Sequence, residues 1–586
     1  MAKQNFDKLL TPFGEKLDKT CPLPEYPRPQ MVRNSYVNLN GEWDYAILPK
    51  SEELVEYQGK IVVPFSPECI LSGVERIVTP NDILYYKRTF TLEDGFNVGK
   101  VLLHFDAVDY IAQVKVNGKE VITHRGGYFP FYADVTDALI EGENTLTVEV
   151  IDPTDTYGQA RGKQKIKRGG IFYTPQSGIW QTVWLESVPA SFIDSLMITP
   201  NIDDNTLTVK ANVVGEVGEG KVVVKDKGEV KATAVMVDGE AVITLSDYEL
   251  WSPENPYLYD LEVTLGEDKV DSYFGMRKYS VGKDASGKPR IMLNNKPYFH
   301  NGLLDQGYWS DGMYTPPSDE AMKYDVEITK KMGFNMLRKH IKIEPLRWYY
   351  HCDRIGILVW QDFINGGMGA NKLFNGALGL FHIQAKDSWY SLCGRQDKEC
   401  RDEYYVDAER TIKELYSVVS LALWVPFNES WGQFDSLKAV EFIKQFDTTR
   451  PIDHASGWID QGGGDFYSLH IYFRPVSAKI TDEDKKGRTV ILSEFGGYSV
   501  PCEGHVFNLS KSFGYKAYNS LEAFDNAYHK LFETQILPII DKGLSATVYT
   551  QLTDVEDEIN GLLTYDRKVI KVDMERIQAL NKKIQY

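Results

Sequence analysis

The chain has 586 residues and a formal net charge of −18 at pH 7, with 43% hydrophobic and 25% charged residues. This length is too great for one hydrophobic core, so several domains are expected. The composition is that of a soluble globular protein, and the acidic balance argues against a nucleic-acid partner. Aromatic residues reach 12%, including 35 tyrosines, which favours sugar-binding surfaces, although cores also use aromatic residues.

The amino terminus and the cysteines bear on the compartment. The first residues, MAKQNFDKLLTPFGEKLDK, contain no apolar signal segment, and no later apolar run has the length that spans a bilayer. The six cysteines are scattered without metal-binding or disulfide spacing. We therefore predict a cytoplasmic protein with reduced thiols and no membrane partner; an exported protein whose signal peptide was removed fits the same sequence.

Residues 1–188 have the pattern of an all-β domain. Segments that alternate apolar and polar residues recur and are separated by turn signals such as Asn117-Gly118. Examples of the alternating segments are Gly99–Phe105, Ala112–Val116 and Asn144–Ile151. Many short strands joined by tight turns predict a jelly-roll β-sandwich.

Residues 189–281 are again rich in strands, with segments such as LTVKANVV and YDLEVTL. About ninety residues of this kind suit an immunoglobulin-like β-sandwich.

The pattern changes in residues 282–586, where short apolar strands alternate with amphipathic helices such as Ser318–Met332 and Leu346–Arg354. This alternation of strands and helices, over this length, predicts a (β/α)8 barrel. The eight strand candidates are Tyr298–Asn301, Phe334–Arg338, Ile357–Gln361, Leu421–Phe427, Pro451–Ser456, Phe466–His470, Thr489–Ser493 and Ser545–Thr550. The span Gly366–Arg401 is long and poor in helix signals, which predicts a rim of the active site.

Two glutamates follow strands of this barrel. Glu429 comes after the fourth strand candidate and Glu494 after the seventh. The carboxyl ends of barrel strands form the active-site face, so both carboxylates are expected to face one pocket. A carboxyl group among apolar and aromatic neighbours loses hydration and holds its proton more strongly, whereas a paired carboxylate stays ionised. Such a pair is suited to general acid catalysis and nucleophilic attack.

Motifs along nearly the whole chain resemble those of glycoside hydrolase family 2, the β-galactosidase, β-glucuronidase and β-mannosidase group. The resemblance implies a jelly-roll domain, an immunoglobulin-like domain and a catalytic barrel, and together the motifs are specific. They are Val37–Trp43, Gly126-Gly127-Tyr128 with Phe131, Ser177–Gln181, Gly333–Arg338, Gly356–Trp360, Phe427-Asn428-Glu429 and Ser493–Gly496.

The resemblance implies an exo-acting, retaining β-glycosidase. Glu494 attacks the anomeric carbon to form a covalent glycosyl-enzyme, and Glu429 protonates the leaving oxygen and then deprotonates water. Direct attack requires the two carboxyl groups to be roughly 5–5.5 Å apart. The resemblance also implies that Arg338 keeps Glu494 ionised, that Asn428 binds the sugar 2-hydroxyl, and that Tyr472 touches the nucleophile.

Departures from the family pattern affect the choice of sugar. After Arg338 the sequence is Lys339-His340-Ile341-Lys342, so His340 is an open candidate for the family's histidine, and Lys342 is a candidate to bind a sugar carboxylate. The Asn-x-Lys motif of glucuronidases is not visible after Glu494. Tyr549 stands where the family usually has tryptophan. β-Galactoside is the first choice by elimination, with β-glucuronide and β-mannoside as alternatives.

Three further residues follow barrel strands and are candidates to bind sugar or only to pack loops: Asp305, Asp362 and Trp458. No metal-ligand spacing is present, so no cofactor is expected to be required. The partner is a carbohydrate, and the resemblance suggests a homo-oligomer. A non-catalytic carbohydrate-binding protein is the alternative from a different class, because a fold does not fix a function.

Overall fold

The computed structural model describes residues 8–368, 385–476, 487–508 and 510–586. Within these residues, two regions of antiparallel strands precede a region in which parallel strands alternate with helices. The three predicted fold classes are confirmed, while the divisions at residues 188 and 281 stay predictions.

The amino-terminal region is a sandwich of a six-stranded and a four-stranded sheet, ordered β3-β2-β4-β10-β7-β8 and β1-β12-β5-β9. Its strands are β1 (Val37–Asn38), β2 (Gly41–Pro49), β3 (Gly59–Val63), β4 (Asp82–Thr91), β5 (Lys100–Phe105), β6 (Val108–Asp109), β7 (Ile111–Val116), β8 (Lys119–Arg125), β9 (Phe131–Asp134), β10 (Glu143–Ile151), β11 (Gly178–Ile179) and β12 (Val183–Val188). Alternate residues of β10 are buried, because successive side chains of a strand point to opposite faces. The inward side chains of both sheets share one core.

The second region is a smaller sandwich of sheets β13-β14-β17 and β16-β15-β18-β19 with its own apolar core. Its strands are β13 (Phe192–Asn201), β14 (Thr206–Val214), β15 (Gly220–Asp226), β16 (Glu229–Met236), β17 (Glu240–Thr244), β18 (Tyr259–Leu265) and β19 (Asp268–Phe274). A three-stranded sheet of β20 (Tyr279–Lys283), β21 (Pro289–Leu293) and β22 (Lys296–Pro297) leads into the third region.

The third region is built on a curled parallel sheet of seven strands in the order β26-β25-β24-β23-β31-β28-β27. These strands are β23 (His300–Asp305), β24 (Met336–Lys339), β25 (Leu358–Asp362), β26 (Leu421–Val425), β27 (Phe466–Ile471), β28 (Thr489–Gly496) and β31 (Leu544–Thr550), and a separate short pair is formed by β29 (Tyr498–Ser499) and β30 (Lys516–Ala517). The strands of the seven-stranded sheet are buried along almost their whole length, as expected for parallel strands that are covered on both faces.

Two of the predicted barrel strands need correction. The first strand is displaced toward the carboxyl terminus, since Tyr298 and Phe299 precede β23. The fifth candidate, Pro451–Ser456, is not a regular strand; it contacts the end of β26 through isolated parallel bridges at Ile452 and Ser456. The amide of Asp465, just before β27, donates to the carbonyl of Ile452 at 3.0 Å. This irregular segment therefore occupies the position between β26 and β27.

The helices surround this sheet, and both predicted helices are confirmed. They are α1 (Asp319–Lys331), α2 (Leu346–Ile355), α3 (Tyr390–Cys393), α4 (Lys398–Leu415), α5 (Ser436–Phe446), α6 (Leu521–Leu531), α7 (Leu537–Ile540) and α8 (Met574–Asn581). The side chain of Ser318 caps α1 by accepting from the amide of Ala321. Gly356 ends α2 with a left-handed backbone, φ 82°.

One segment of the amino-terminal sandwich, residues 161–176, lies on the carboxyl ends of the barrel strands. The amides of Arg161 and Gly162 both donate to the carbonyl of Asn365, each at 3.1 Å. The hydroxyl of Tyr173 donates a hydrogen bond to Glu558, which follows β31, and the ring of Tyr173 belongs to the core of the barrel. The sandwich is therefore fixed over the face that was predicted to hold the active site.

The span Gly366–Arg401, predicted as a helix-poor rim, lies partly outside the described residues, which omit 369–384. Its remaining part contains α3 and the start of α4, so the prediction of few helices is wrong there. Arg395 connects this part to the strand ends, because it donates to the carbonyl of Gly432 at 2.8 Å and to Asn365 at 2.6 Å.

All six cysteines are free thiols. Across the described ranges, no helix has both the length and the apolar character needed to cross a lipid bilayer.

Candidate active site

The side chains of Glu429 and Glu494 meet at the carboxyl ends of the barrel strands. One carboxylate oxygen of each lies within 4.8 Å of the other and of Nδ1 of His470. Glu494 belongs to β28, whereas Glu429 follows β26. Both residues are buried, with 8% of Glu429 and 4% of Glu494 exposed. Two acidic residues far apart in sequence therefore share one small site.

Glu429 is held in an uncommon backbone conformation. Its φ is 49° and that of Ser430 is 62°, the left-handed region that residues other than glycine rarely occupy. The amide of Glu429 donates to the carbonyl of Ser456 at 2.8 Å, and the amide of Trp431 donates to the carbonyl of Asn428 at 2.9 Å. These bonds stabilise a turn that directs the carboxylate across the site. Such strain is concentrated at functional positions.

Arg338, on β24, organises the opposite side of the site. Its guanidinium makes two hydrogen bonds to Asp362, at 2.9 and 3.1 Å, and one to Glu494 at 3.1 Å. It also donates to the side-chain oxygen of Asn428 at 2.8 Å and to the carbonyl of Ser493 at 3.0 Å. Because the oxygen of Asn428 accepts from Arg338, the amide nitrogen of Asn428 is the group left to donate to a ligand.

Glu494 is kept ionised by its neighbours. Burial by itself raises the pKa of this carboxyl, but the charges of His470, Arg338 and Lys163 outweigh that effect and bring the pKa below its ordinary value. The hydroxyl of Tyr472 donates to the second carboxylate oxygen of Glu494. A buried carboxylate that is both paired and hydrogen-bonded is a stable anion with its lone pairs directed at the site.

His470, on β27, lies between the two carboxylates. Its Nδ1 is 2.8 Å from Oε1 of Glu429 and 3.5 Å from Oε2 of Glu494. Its Nε2 is 3.0 Å from the hydroxyl of Ser456. A carboxylate can only accept a hydrogen bond, so the bond to Glu429 requires a proton on Nδ1 unless Glu429 is itself protonated.

A chain of buried hydroxyls continues from His470 into the barrel. Ser456 donates to Ser493 at 3.0 Å, Ser493 is 2.5 Å from Ser468, and Ser468 donates to Asp453 at 2.9 Å. These residues come from three different strand positions, so the chain links the orientation of His470 to the packing of the barrel.

His340 and Asp362 form a second buried pair. Nδ1 of His340 is 2.6 Å from Asp362. Burial and the nearby Lys163 lower the pKa of His340 well below its ordinary value, so the ring is neutral near pH 7. The Nδ1 proton then points to Asp362 and leaves Nε2 as an acceptor for a hydroxyl group. Asp362 therefore positions both Arg338 and His340.

Tyr472 connects Glu494 to an aromatic wall. Its ring stacks on that of Tyr515 with 3.7 Å between centroids, and its hydroxyl is 3.0 Å from that of Thr550. Burial and the charge of Glu494 raise the pKa of Tyr472 well above its ordinary value. The phenol therefore remains a donor to the carboxylate at neutral pH.

Asp305 and Lys342 are buried, and their polar atoms bind other groups of the protein. Asp305 accepts from Lys339 at 2.7 Å and from the amide of Gly307 at 2.9 Å. Lys342 donates to the carbonyls of Gly307 and Tyr314, at 2.6 and 2.8 Å, and lies 2.9 Å from Glu344. Its side chain has 0% exposure, and burial lowers its pKa to about 8. The suggestion that Lys342 grips a sugar carboxylate is therefore wrong, because its protons are already engaged.

Tyr549 and Trp458 make no hydrogen bond to either carboxylate within the described residues. The ring of Tyr549 is fully buried against Phe495 and Phe532, and its hydroxyl accepts from the amide of Tyr498 at 3.3 Å. Trp458 is half-buried and packs beside Ala385 on the rim. Tyr549 thus has no surface to offer a ligand, whereas Trp458 does.

Sequence reasoning missed His470 and Lys163. His470 precedes Tyr472 by two residues, and alternate residues of a strand face the same side, which is the pattern that could have found it. Lys163 lies in a loop of another domain, so only the tertiary structure brings its charge to Glu494. Glu429, His470 and Glu494 also form a constellation that could hold a metal ion.

Three family profiles match successive parts of the chain. The sugar binding domain of glycosyl hydrolases family 2 matches residues 67–189, the central family 2 domain matches 191–277, and the family 2 TIM barrel domain matches 287–585. The chain belongs to glycosyl hydrolase family 2. The resemblance seen in the sequence motifs is thereby confirmed.

Curated members of family 2 match at low identity. A β-galactosidase of Thermoanaerobacter pseudethanolicus is 27% identical over 304 residues, which are 48% of this chain and 39% of that protein. A putative β-glucuronidase of Formosa agariphila is 26% identical over 310 residues, 49% of this chain and 35% of that protein. The matches span less than half of either relative.

Solved family 2 structures cover almost the whole chain. The β-D-glucuronidase of Dictyoglomus thermophilum has a TM-score of 0.73 at 18% identity and covers 95% of this chain and 98% of its own. The Ruminococcus gnavus β-glucuronidase in complex with uronic isofagomine has a TM-score of 0.74 at 17% identity, with 96% and 100% covered. At this identity the likeness establishes the fold.

Proposed function

We propose that this chain is a retaining, exo-acting β-glycosidase that removes one terminal sugar through a covalent glycosyl-enzyme. The observation that carries the proposal is the separation of Glu429 and Glu494, whose nearest ligand oxygens lie within 4.8 Å. Retaining enzymes hold their carboxyl groups about 5–5.5 Å apart, whereas inverting enzymes need about 6.5–9.5 Å to admit a water molecule.

The two carboxylates take different roles because their surroundings differ. Glu494 is paired with Arg338 and accepts from Tyr472, which favours the ionised nucleophile. Glu429 contacts His470 and lies in the turn that is closed by the bond from Trp431 to Asn428, and we assign it the role of acid and base. Glu429 then protonates the glycosidic oxygen, and in the second step it takes a proton from water.

Neighbouring groups bind and orient the sugar. Asn428 presents its amide nitrogen to the 2-hydroxyl, a contact that strengthens as charge develops in the transition state. His340 offers Nε2 as an acceptor, while Trp458 contributes an aromatic face at the rim. We propose that three further residues hold these sugar-binding side chains in place and do not touch the sugar, since each is buried with its polar atoms engaged. They are Asp305, Asp362 and Tyr549.

The amino-terminal sandwich supports exo action because its segment 161–176 covers one end of the strand face. A β-galactoside is the first sugar to test, since curated relatives named β-galactosidase match at 27% and 25% identity. The Asn-x-Lys sequence after Glu494, Asn581-Lys582-Lys583, does not provide the glucuronidase motif, because the Asn581 side chain is engaged by Asn301 and by the carbonyl of Met332.

The test is turnover of p-nitrophenyl β-galactoside, β-glucuronide and β-mannoside, with Glu494→Ala and the exposed Glu399→Ala as a matched control. We expect the first variant to lose turnover and the control to keep it. A 2-deoxy-2-fluoro glycoside should add its mass to the peptide that contains Glu494. Reversible binding without an adduct and without turnover would instead favour a carbohydrate-binding protein, whereas full activity of Glu494→Ala would show that Glu494 is not the nucleophile.

A further inference from the structure

A basic segment of the amino-terminal sandwich faces the barrel. Residues 161–168 read RGKQKIKR, and most of the charges have partners nearby. Arg161 donates to the carbonyl of Gly367 at 2.8 Å, Arg168 lies 3.1 Å from Glu556, and Lys165 lies 3.5 Å above the ring of Phe172. Lys167 is exposed to solvent. Lys163 differs from all of these.

The backbone of Lys163 is fixed on both sides against the strand ends. Its neighbour Gly162 donates to the carbonyl of Asn365, three residues beyond Asp362, and its own carbonyl accepts from the amide of Tyr173, both at 3.1 Å. A Cβ atom placed on Gly162 would lie 3.1 Å from the carbonyl oxygen of Ile341, the residue after His340. The segment therefore packs directly against the backbone next to His340.

The ammonium group of Lys163 has no counterion in the part of the chain that the structure describes. No carboxylate lies within 4.0 Å of it and its side chain makes no hydrogen bond there; its recorded contact is the ring of Tyr173, at 5.9 Å. The residue is half-buried. Its charge is nevertheless one of the causes that lower the pKa values of Glu494 and His340, so its field reaches the site.

The other buried cations near the site are already paired. Arg338 is engaged by Asp362 and Glu494, Lys339 by Asp305 and Glu344, and Lys342 by Glu344 and two carbonyls. A partly desolvated ammonium without a partner is costly, and a ligand that supplies an anion removes that cost. A neutral hydroxyl would leave the charge uncompensated.

We propose that Lys163 is a specificity-determining residue that binds an anionic group on the terminal sugar, a uronate carboxylate or a sulfate ester. This inference rests on the proposed glycosidase function and adds the substrate class to it. The cation comes from the amino-terminal sandwich, whereas the reacting carboxylates belong to the barrel. Sugar specificity would then depend on the contact between the two domains.

The experiment compares charged and neutral members of matched pairs: p-nitrophenyl β-galacturonide with β-galactoside, β-glucuronide with β-glucoside, and β-galactoside 6-sulfate with β-galactoside. We expect the wild type to have the higher kcat/KM for the charged member of at least one pair. The pair that responds distinguishes a carboxylate from a sulfate ester.

The variant Lys163→Met should lower the charged-to-neutral ratio of kcat/KM about 10- to 100-fold, mainly through KM, the scale of one charge-assisted hydrogen bond. Lys163→Arg should retain most of the preference, and the exposed Lys167→Met should leave the ratio unchanged. Equal thermal unfolding midpoints of the variants would exclude misfolding as the cause.

A wild-type preference for the neutral member of every pair would overturn this inference, as would an equal loss for both members in Lys163→Met. Cleavage of neutral sugars that depends on Glu494 would then leave the glycosidase proposal intact. If no member of any pair were cleaved and no covalent adduct formed, both proposals would fall.

Discussion

The imidazole of His470 lies 2.8 Å from the carboxylate of Glu429. The same nitrogen is 3.5 Å from Glu494, so one ring contacts both proposed reacting groups. Its far side is tied to Ser456 and, through Ser493 and Ser468, to Asp453. We infer that His470 is a positioning residue that holds the carboxylates at the separation required for direct attack.

Replacing His470 by alanine should lower kcat about 10- to 100-fold, the effect expected when reacting groups are misplaced by roughly 1 Å. Because His470 lowers the pKa of Glu494, its loss should raise that pKa and move the acid limb of kcat/KM to higher pH. His470→Asn, which keeps a donor toward Glu429, should retain more activity.

Steady-state kinetics from pH 3.5 to 8 would measure both effects. The control is Ser456→Ala, which removes the Nε2 partner and the bond to Ser493 but leaves Nδ1 of His470 facing Glu429. An unchanged acid limb combined with a loss confined to KM would show that His470 acts only on substrate binding.

Replacing Glu429 by glutamine should remove acid and base assistance while preserving shape. We expect kcat to fall about 10²- to 10⁴-fold for alkyl or sugar leaving groups, and much less for dinitrophenolate, which departs without a proton. Azide should restore turnover of the activated substrate and yield a glycosyl azide, because it attacks the glycosyl-enzyme without a general base. An equal loss on all leaving groups, with no azide product, would contradict this role; Glu399→Gln is the control.

The buried ion pair of Arg338 and Asp362 should be required for stability. Arg338→Met leaves the Asp362 carboxylate without its partner, and such losses cost about 3–5 kcal/mol. Adding Asp362→Asn to that variant should recover part of the loss, because the uncompensated charge disappears. The measurement is the thermal unfolding midpoint.

The control for this experiment is Lys60→Met, which breaks the surface pair with Asp44, 2.7 Å apart with the lysine side chain 59% exposed. That change should cost less than about 1 kcal/mol. A double variant less stable than Arg338→Met alone would show that the charge of Asp362 is not the source of the loss.

A cluster of buried acids in the amino-terminal sandwich should make stability depend on pH. Burial, together with the nearby charges of Asp152 and Glu68, raises the pKa of Asp109 well above its ordinary value of 3.8. Above pH 3.8 the unfolded chain releases this proton while the folded chain retains it, so stability falls as pH rises.

Asp109→Asn carries no such proton. The difference between its unfolding midpoint and that of the wild type should therefore shift in favour of the variant as pH increases from about 4 toward 8. Differential scanning calorimetry of both proteins across this range measures the gap. A gap that is constant with pH, or that narrows, would refute the assignment of a retained proton to Asp109.

Local sequence pattern was sufficient for the architecture. Alternation predicts the strand β10, amphipathic segments predict α1 and α2, and a change of period after about residue 282 predicts an α/β region. These features depend on neighbouring residues and on the burial of one face, which the sequence records directly. The fifth barrel strand was the exception, because Pro451–Ser456 pairs only at isolated positions.

The proposed catalytic glutamates were also within reach of the sequence, since each stands in a specific motif, Glu494 near the end of β28 and Glu429 shortly after β26. The details around them were not. Lys342 lies a few residues from Arg338 in sequence but is buried and paired with Glu344, whereas Lys163 lies far away in sequence and its charge acts on Glu494. The two lysines differ in the direction of the side chain and in the contact between domains, and the local sequence does not reveal either property.

The amino-acid sequence by itself determined the order of the domains, the family and the two acidic residues, because these follow from periodicity and short motifs. Only the tertiary structure decided that His470 lies between the carboxylates, that Tyr549 and Lys342 are enclosed, and that Lys163 remains unpaired among the described residues. The reason is physical: burial and ion pairing arise when distant segments pack together, and they set the protonation and availability of each group.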